Sequence, residues 1–210
     1  MTRKITAIKV QKRNPERVNI YLDGEFAFGL ARIVAAWLTI GQELSDQELS
    51  ELQGQDIYEK AYQKGLNFLS YRMRSESEMR RKLVENDFPE DVIAETLSRM
   101  RQSGLLDDTR FAQAWVDSRN AFHPRGRRVL AMELRQKGLE EEVIHETLAE
   151  NVQEDDIAYQ AIQRKAARMA DLEWKEFRTR LIQFLARRGF NYETCVQAVR
   201  RAWDETRPQK

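Results

Sequence analysis

The chain has 210 residues, with 35 Lys and Arg against 34 Asp and Glu, 41% hydrophobic residues and a single cysteine. That apolar share can build a core, which excludes a disordered chain, and one cysteine excludes a disulfide-stapled scaffold. The near-zero net charge excludes nucleic-acid binding by composition alone, so any such site has to come from local clustering.

The first 30 residues read as β structure. Ile8 and Val10 alternate with Lys9 and Gln11, and Val18, Ile20 and Leu22 alternate with Asn19 and Tyr21, the period of a half-buried strand. Asn14-Pro15-Glu16 has turn chemistry between the two runs. Asp23-Gly24 is a two-residue hairpin signal before Glu25-Phe26-Ala27-Phe28, because both positions tolerate positive φ. The pattern predicts a three-stranded antiparallel meander, too small to be stable alone. A helix over Ala31 to Leu38 is the expected cover, and Ser45-Asp46-Gln47-Glu48 reads as a capping box opening a second short helix.

From about Asp56 the period becomes helical. Leu83, Leu134 and Leu185 recur at an offset of 51 residues, and so do Phe88, Leu139 and Phe190. The same offset relates Ile93, Ile144 and Cys195, then Leu97, Leu148 and Val199; Gly138 and Gly189 also match, with Asp87 in the corresponding slot. This predicts a mainly α chain of tandem three-helix repeats, elongated and curved because each short unit buries its apolar face only by stacking on a neighbour. In the first unit the helices fall at 57–71, 75–85 and 89–100, with a capping box at Ser75 to Glu78 and Pro89 in the first turn of the third. Asp107 or Asp108 caps the helix that follows. The predicted organisation is an N-terminal β region over 1–55, repeats over 56–104, 105–154 and 155–206, and a disordered tail at 207–210.

Catalytic chemistry lacks its parts. The two histidines, His123 and His145, are far apart in sequence, and no metal, nucleophile or phosphate-loop pattern occurs. Neither an enzyme nor a cofactor is expected. Cys195 sits in a core register, His145 in a solvated one, and Asp107 and Asp108 fit capping better than metal binding.

The arginines divide into two groups. Glu76–Arg80, Glu78–Lys82, Arg81–Glu85, Arg200–Asp204 and Arg201–Glu205 are i,i+4 pairs that stabilise a helix by ~0.2–0.5 kcal/mol each without a partner. Arg125, Arg127 and Arg128 have no acid three or four positions away and open a helix, where the dipole disfavours cations. Such placement points to an external anion. Arg178, Arg187 and Arg188 also lack local acids, and Arg178 shares the register of Arg127. Tyr71, Phe122, Trp115 and Trp203 are candidates for stacking on bases; Trp115 and Trp203 read as core, and Phe122, beside the loop, is the better candidate.

Three motifs in order resemble the RecX family of bacterial regulators of the RecA recombinase. They are Tyr71-Arg72-Met73-Arg74-Ser75-Glu76-Ser77-Glu78-Met79-Arg80-Arg81-Lys82-Leu83, Gly104-Leu105-Leu106-Asp107-Asp108-Thr109-Arg110-Phe111-Ala112 followed by Arg119, and Pro124-Arg125-Gly126 leading to Glu133-Leu134-Arg135-Gln136-Lys137-Gly138. The resemblance covers about 57–150, with a looser match over 155–204. It implies a regulator that binds the RecA filament on DNA and inhibits ATPase and strand exchange, with some direct affinity for single- and double-stranded DNA. It adds Arg72, Arg74, Arg119 and Lys137 to the six arginines above as RecA- or DNA-binding candidates. The expected state is a cytoplasmic monomer: MTRKITAIKV lacks a secretory h-region, and the longest apolar stretch, near Ile33 to Leu38, is far below the ~20 residues that span a bilayer. The competing reading is a nucleic-acid-binding helical-repeat module that acts without RecA.

Overall fold

The computed structural model describes residues 2–151 and 154–207. Four strands come first: β1 (Thr2–Gln11), β2 (Asn14–Leu22), β3 (Glu25–Ala31) and β4 (Glu43–Ser45). They form one antiparallel sheet in the order β3-β2-β1-β4. The expected three-stranded meander therefore gains an edge strand, which pairs Thr2 with Ser45 and Lys4 with Glu43. Three residues are too few to show a period of two. The first hairpin turns at Lys12 and Arg13, and Asn14, Pro15 and Glu16 already belong to β2. Asp23 and Gly24 do form the second turn, at φ of 51° and 91°. The Asp23 carboxylate then accepts from Lys4 N at 3.0 Å and Arg3 Nε at 3.2 Å, tying the turn to β1.

β2 alternates as expected, with Val18, Ile20 and Leu22 buried. β1 does not. Irregularities between Ile5 and Ala7 and between Val10 and Gln11 break its register, and Val10 is exposed while Ile5 is fully buried. A bulge adds a residue to one strand and so switches the face that follows it.

The predicted helix over Ala31 to Leu38 is absent. Residues 32–37 are successive turns, and Ala35 N to Ala31 O at 3.1 Å is their helical bond among the described residues. One such bond does not offset the cost of nucleating a helix. Ile33, Trp37 and Ile40 consequently stand exposed. The segment still covers the sheet through Val34, Ala35 and Leu38, and shares that role with α1 (Asp46–Leu69), whose Leu49 and Leu52 pack against the core of Ile5, Ile20, Leu22 and Leu30. Ser45 caps it with both halves of the capping box present. The two helices expected on either side of residue 56 are thus one helix of 24 residues.

Eight more helices follow among the described residues: α2 (Glu76–Val84), α3 (Glu90–Gln102), α4 (Asp108–Phe122), α5 (Arg127–Gln136), α6 (Glu141–Asn151), α7 (Glu154–Ala167), α8 (Trp174–Arg187) and α9 (Tyr192–Thr206). Pro89 is the N-cap of α3 rather than part of its first turn. The 51-residue offset is a structural register. Leu83, Leu134 and Leu185 are fully buried, and Ile93, Ile144 and Cys195 share one core position. Asp87, Gly138 and Gly189 all turn with positive φ, at 58°, 79° and 86°. Glycine adopts that conformation without steric cost and Asp tolerates it, which explains why an Asp fills the first slot.

The chain divides into two compact units, one with residues up to Arg74 and Met79–Leu106, the other with Ser75–Glu78 and Asp107 onward. The first unit holds two cores, one under the sheet and one around Met79, Leu83, Ile93, Leu97 and Met100. The second holds one continuous core, from Phe111 through Leu134 and Phe177 to Ala202. Of the tail expected at 207–210, Arg207 lies 3.5 Å over the Trp203 ring and donates from Nη2 to Leu172 O; the other three residues lie outside the described ones. Among the described residues no helix is long and apolar enough to cross a membrane.

Candidate functional site

Within the second unit, one kind of junction occurs twice. In its first copy the start of α2 meets the end of α5. Ser75 Oγ accepts from Glu78 N at 3.2 Å, which caps α2, and donates to Lys137 O at 2.6 Å. The Glu78 carboxylate reaches Lys137 Nζ at 2.8 Å, with both side chains largely buried. Asp107 caps α4 through Arg110 N at 2.9 Å, whereas Asp108 accepts from Glu76 N at 2.8 Å and so caps α2. Both acids are therefore used on helix ends.

Burial pushes the Asp108 carboxyl above its ordinary value; the bond from Glu76 N opposes this, while the charges of Glu76, Asp107 and Glu140 add to it. A raised carboxylate costs stability when ionised, and the cost is relieved as pH falls through its folded pKa. Asp108→Asn keeps an acceptor for Glu76 N and removes the charge. It should raise the thermal midpoint at pH 7 and abolish the part of the gain that this carboxylate gives the parent on mild acidification. Thermal melts of both proteins between about pH 4 and 7 read this directly.

Trp115 organises two of the candidate cations. Arg119 lies 4.3 Å over its ring and Lys137 lies 4.9 Å from its centre. Arg119 Nε and Trp115 Nε1 both donate to Glu133 Oε2, at 2.7 and 2.8 Å. Arg119 and Lys137 thus carry their own acids.

In the second copy, 51 residues on, Gly126 stands in place of Ser75, Val129 in place of Glu78 and Arg188 in place of Lys137. The backbone contact persists, since Gly126 N donates to Arg188 O at 2.9 Å. The chains approach so closely that a Cβ on Gly126 would lie 2.3 Å from Gly189 O. The acid does not persist. Arg188 Nη1 donates to Pro124 O at 3.3 Å, and the guanidinium lies 4.4 Å over Phe184. Arg125 Nε is buried with no hydrogen-bond partner among the described residues. The start of α5 is served from a distance: Glu154 Oε1 accepts from Arg127 N at 2.7 Å and its Oε2 from Asn191 Nδ2 at 3.2 Å. A search three or four positions along the chain could not find that acid.

Comparison with known proteins accounts for the architecture. Residues 3–45 match the family model "Regulatory protein RecX N-terminal domain", and 61–100, 107–148 and 153–199 match the first, second and third RecX three-helix domains. The chain belongs to the RecX family. Regulatory protein RecX of Bacillus velezensis is 35% identical over 93% of this chain and 76% of its own length. That of Clostridium perfringens is 31% identical over 94% and 95%. A solved structure described as regulatory protein RecX superposes with a TM-score of 0.74, at 30% identity over 93% of this chain and 98% of that one.

The remaining candidates of this RecX chain lie apart in character. Arg128 and Arg187 are exposed and make no ion pair or hydrogen bond among the described residues. Arg178 donates to Tyr192 Oη at 2.7 Å. Arg74 lies 3.9 Å over the Phe68 ring, and Arg72 Nη1 donates to Met73 O at 2.8 Å. Arg127, Arg128 and His145 line a cleft of about 350 Å³ between α5 and α6. Phe122 is 76% exposed, as a stacking residue requires, while Trp115 and Trp203 pack on the core. Trp37, 88% exposed, is the aromatic that the helical reading of its segment concealed. Cys195 is buried, and burial pushes its thiol up, away from nucleophilic use.

Proposed function

We propose that this RecX-family chain is a non-enzymatic regulator that binds the RecA filament on DNA and inhibits RecA ATPase and strand exchange, acting in recombination and the SOS response. Family membership carries the reading, since the full-length relatives are named as regulatory proteins. The candidate contacts with RecA or DNA are Arg72, Arg74, Arg119, Arg125, Arg127, Arg128, Lys137, Arg178, Arg187 and Arg188. Arg125, Arg128, Arg187 and Arg188 lead that set, because no acid neutralises them among the described residues, in contrast to Arg119 and Lys137. A cytoplasmic monomer acting on the filament, with weaker affinity for free single- and double-stranded DNA, completes the proposal.

The test is RecA ATPase on single-stranded DNA with this protein titrated in substoichiometric amounts. A falling rate supports the proposal, and an unchanged rate at every ratio overturns it. Full inhibition by the Arg125→Ala, Arg128→Ala, Arg187→Ala, Arg188→Ala variant would instead move the contact surface elsewhere. Tight, salt-sensitive binding to naked DNA with no effect on RecA would favour a module that works without the recombinase.

A further inference from the structure

We propose that Arg125 and Arg188 form an oxyanion site that takes one phosphate group where the Pro124–Gly126 loop meets the end of α8. The site refines the contact set of the proposed function but rests on the junction itself. The chain supplies its own comparison. At the start of α2, the cation of the junction is neutralised by Glu78; at the start of α5, the equivalent residue is Val129, and Arg125, in the register of Arg74, makes no ion pair among the described residues. Glu154 is directed to Arg127 N and Asn191 Nδ2 and makes no ion pair with Arg125 or Arg188 among the described residues.

The Arg188 guanidinium is held in place. Arg188 rests on the Phe184 face and on Pro124 O, and Gly126 N fixes the backbone beneath it. One N–H of Arg188 is used in this way, and a guanidinium has five. Arg125 Nε is buried with no acceptor among the described residues, so contact with an ion falls to its two Nη groups. Burial first, and then the like charge of Arg125, lowers the hold of Arg188 on its proton. One oxyanion meets the outer N–H groups of both arginines, and the planar guanidinium fork matches two oxygens of a tetrahedral phosphate. The group is the same whether it comes from inorganic phosphate or from a nucleic-acid backbone.

Calorimetric titration of the full chain with inorganic phosphate, and separately with a short single-stranded oligonucleotide, tests the site at constant ionic strength. Saturable binding that weakens by at least about tenfold in Arg125→Gln and in Arg188→Gln, the scale of one lost charged hydrogen bond, supports it. Dependence on both arginines with the oligonucleotide alone supports the site and assigns the phosphodiester as its source. Lys175→Gln, at an exposed cation outside the candidate set, controls for diffuse charge: an equal loss in all three variants, or no saturable binding of either probe, overturns the proposal. Val129→Glu places the missing acid, and should remove phosphate binding while raising the melting temperature in phosphate-free buffer. Circular dichroism and thermal melts establish that each variant is folded. Intact phosphate binding with no effect on RecA would overturn the proposed function and leave the site standing.

Discussion

Asp56→Ala should lower the stability of the first unit by about 3–5 kcal/mol, the cost of leaving one member of a buried ion pair alone. Asp56 is 2% exposed. Its oxygens accept from Arg17 Nη1 at 3.1 Å, Arg17 Nη2 at 2.9 Å and Ala31 N at 2.6 Å, and Lys60 Nζ lies at 2.8 Å. One carboxylate on α1 therefore joins β2 to the end of β3. Burial alone would raise its pKa, but the bonds from Arg17, Lys60 and Ala31 N outweigh burial and hold it below the ordinary value. A lowered carboxyl contributes stability above the unfolded pKa of about 4, and that stability is lost as pH falls through the folded value. Urea titrations of the parent should thus show a midpoint that drops below about pH 4, and Asp56→Asn should flatten that drop. A flat acid limb in the parent would remove Asp56 from this role.

Gly126→Ala carries the second large effect. Its new Cβ would lie 2.3 Å from Gly189 O and 2.5 Å from Phe190 N, both backbone atoms of a neighbouring segment that cannot rotate away. The junction has to open, at a cost of about 1–3 kcal/mol, and Gly126 N loses Arg188 O. Denaturant midpoints should fall, and the RecA inhibition proposed for this chain should weaken with them. Gly54→Ala is the contrast, since nothing lies within 4 Å of the added Cβ in mid-α1 and glycine is the poorer helix former by roughly 0.5–1 kcal/mol. If the two variants behave alike, the close approach of the backbones does not govern the junction.

The repeat architecture was legible because burial imposes the same demand at each 51-residue step: Leu83, Leu134 and Leu185 are large, apolar and buried in all three units. The turn at Asp23-Gly24 was legible because few residues tolerate its backbone. β4 was not, being three residues paired with a strand about 40 positions earlier. Charge neutralisation was the least legible property. Rules about i,i+4 neighbours see one helix face, whereas Lys137 finds Glu78 from 59 positions away and Arg119 finds Glu133 from 14. Of the i,i+4 pairs expected, Arg201–Glu205 forms at 3.1 Å, while Arg80 turns to Glu90 and Lys82 to Glu85. Arg74 and Arg125 occupy one register, yet the first rests on Phe68 and the second does not, since register fixes position and not surroundings.

The uninterrupted course of α1 makes the β region a poor place to cut. A helix of 24 residues is a strut of about 36 Å, and its early turns seal the sheet while Ala61, further along, sits in the core of the first three-helix domain. Deleting the strands would strip Arg17 from Asp56 and uncover Leu49 and Leu52, so a shortened protein would inherit a stranded charge and a sticky flank. Loss of activity in such a fragment would report damage to the remaining scaffold as much as the absence of a recognition element, and point substitutions on the outer face of the sheet are the cleaner way to ask what it touches.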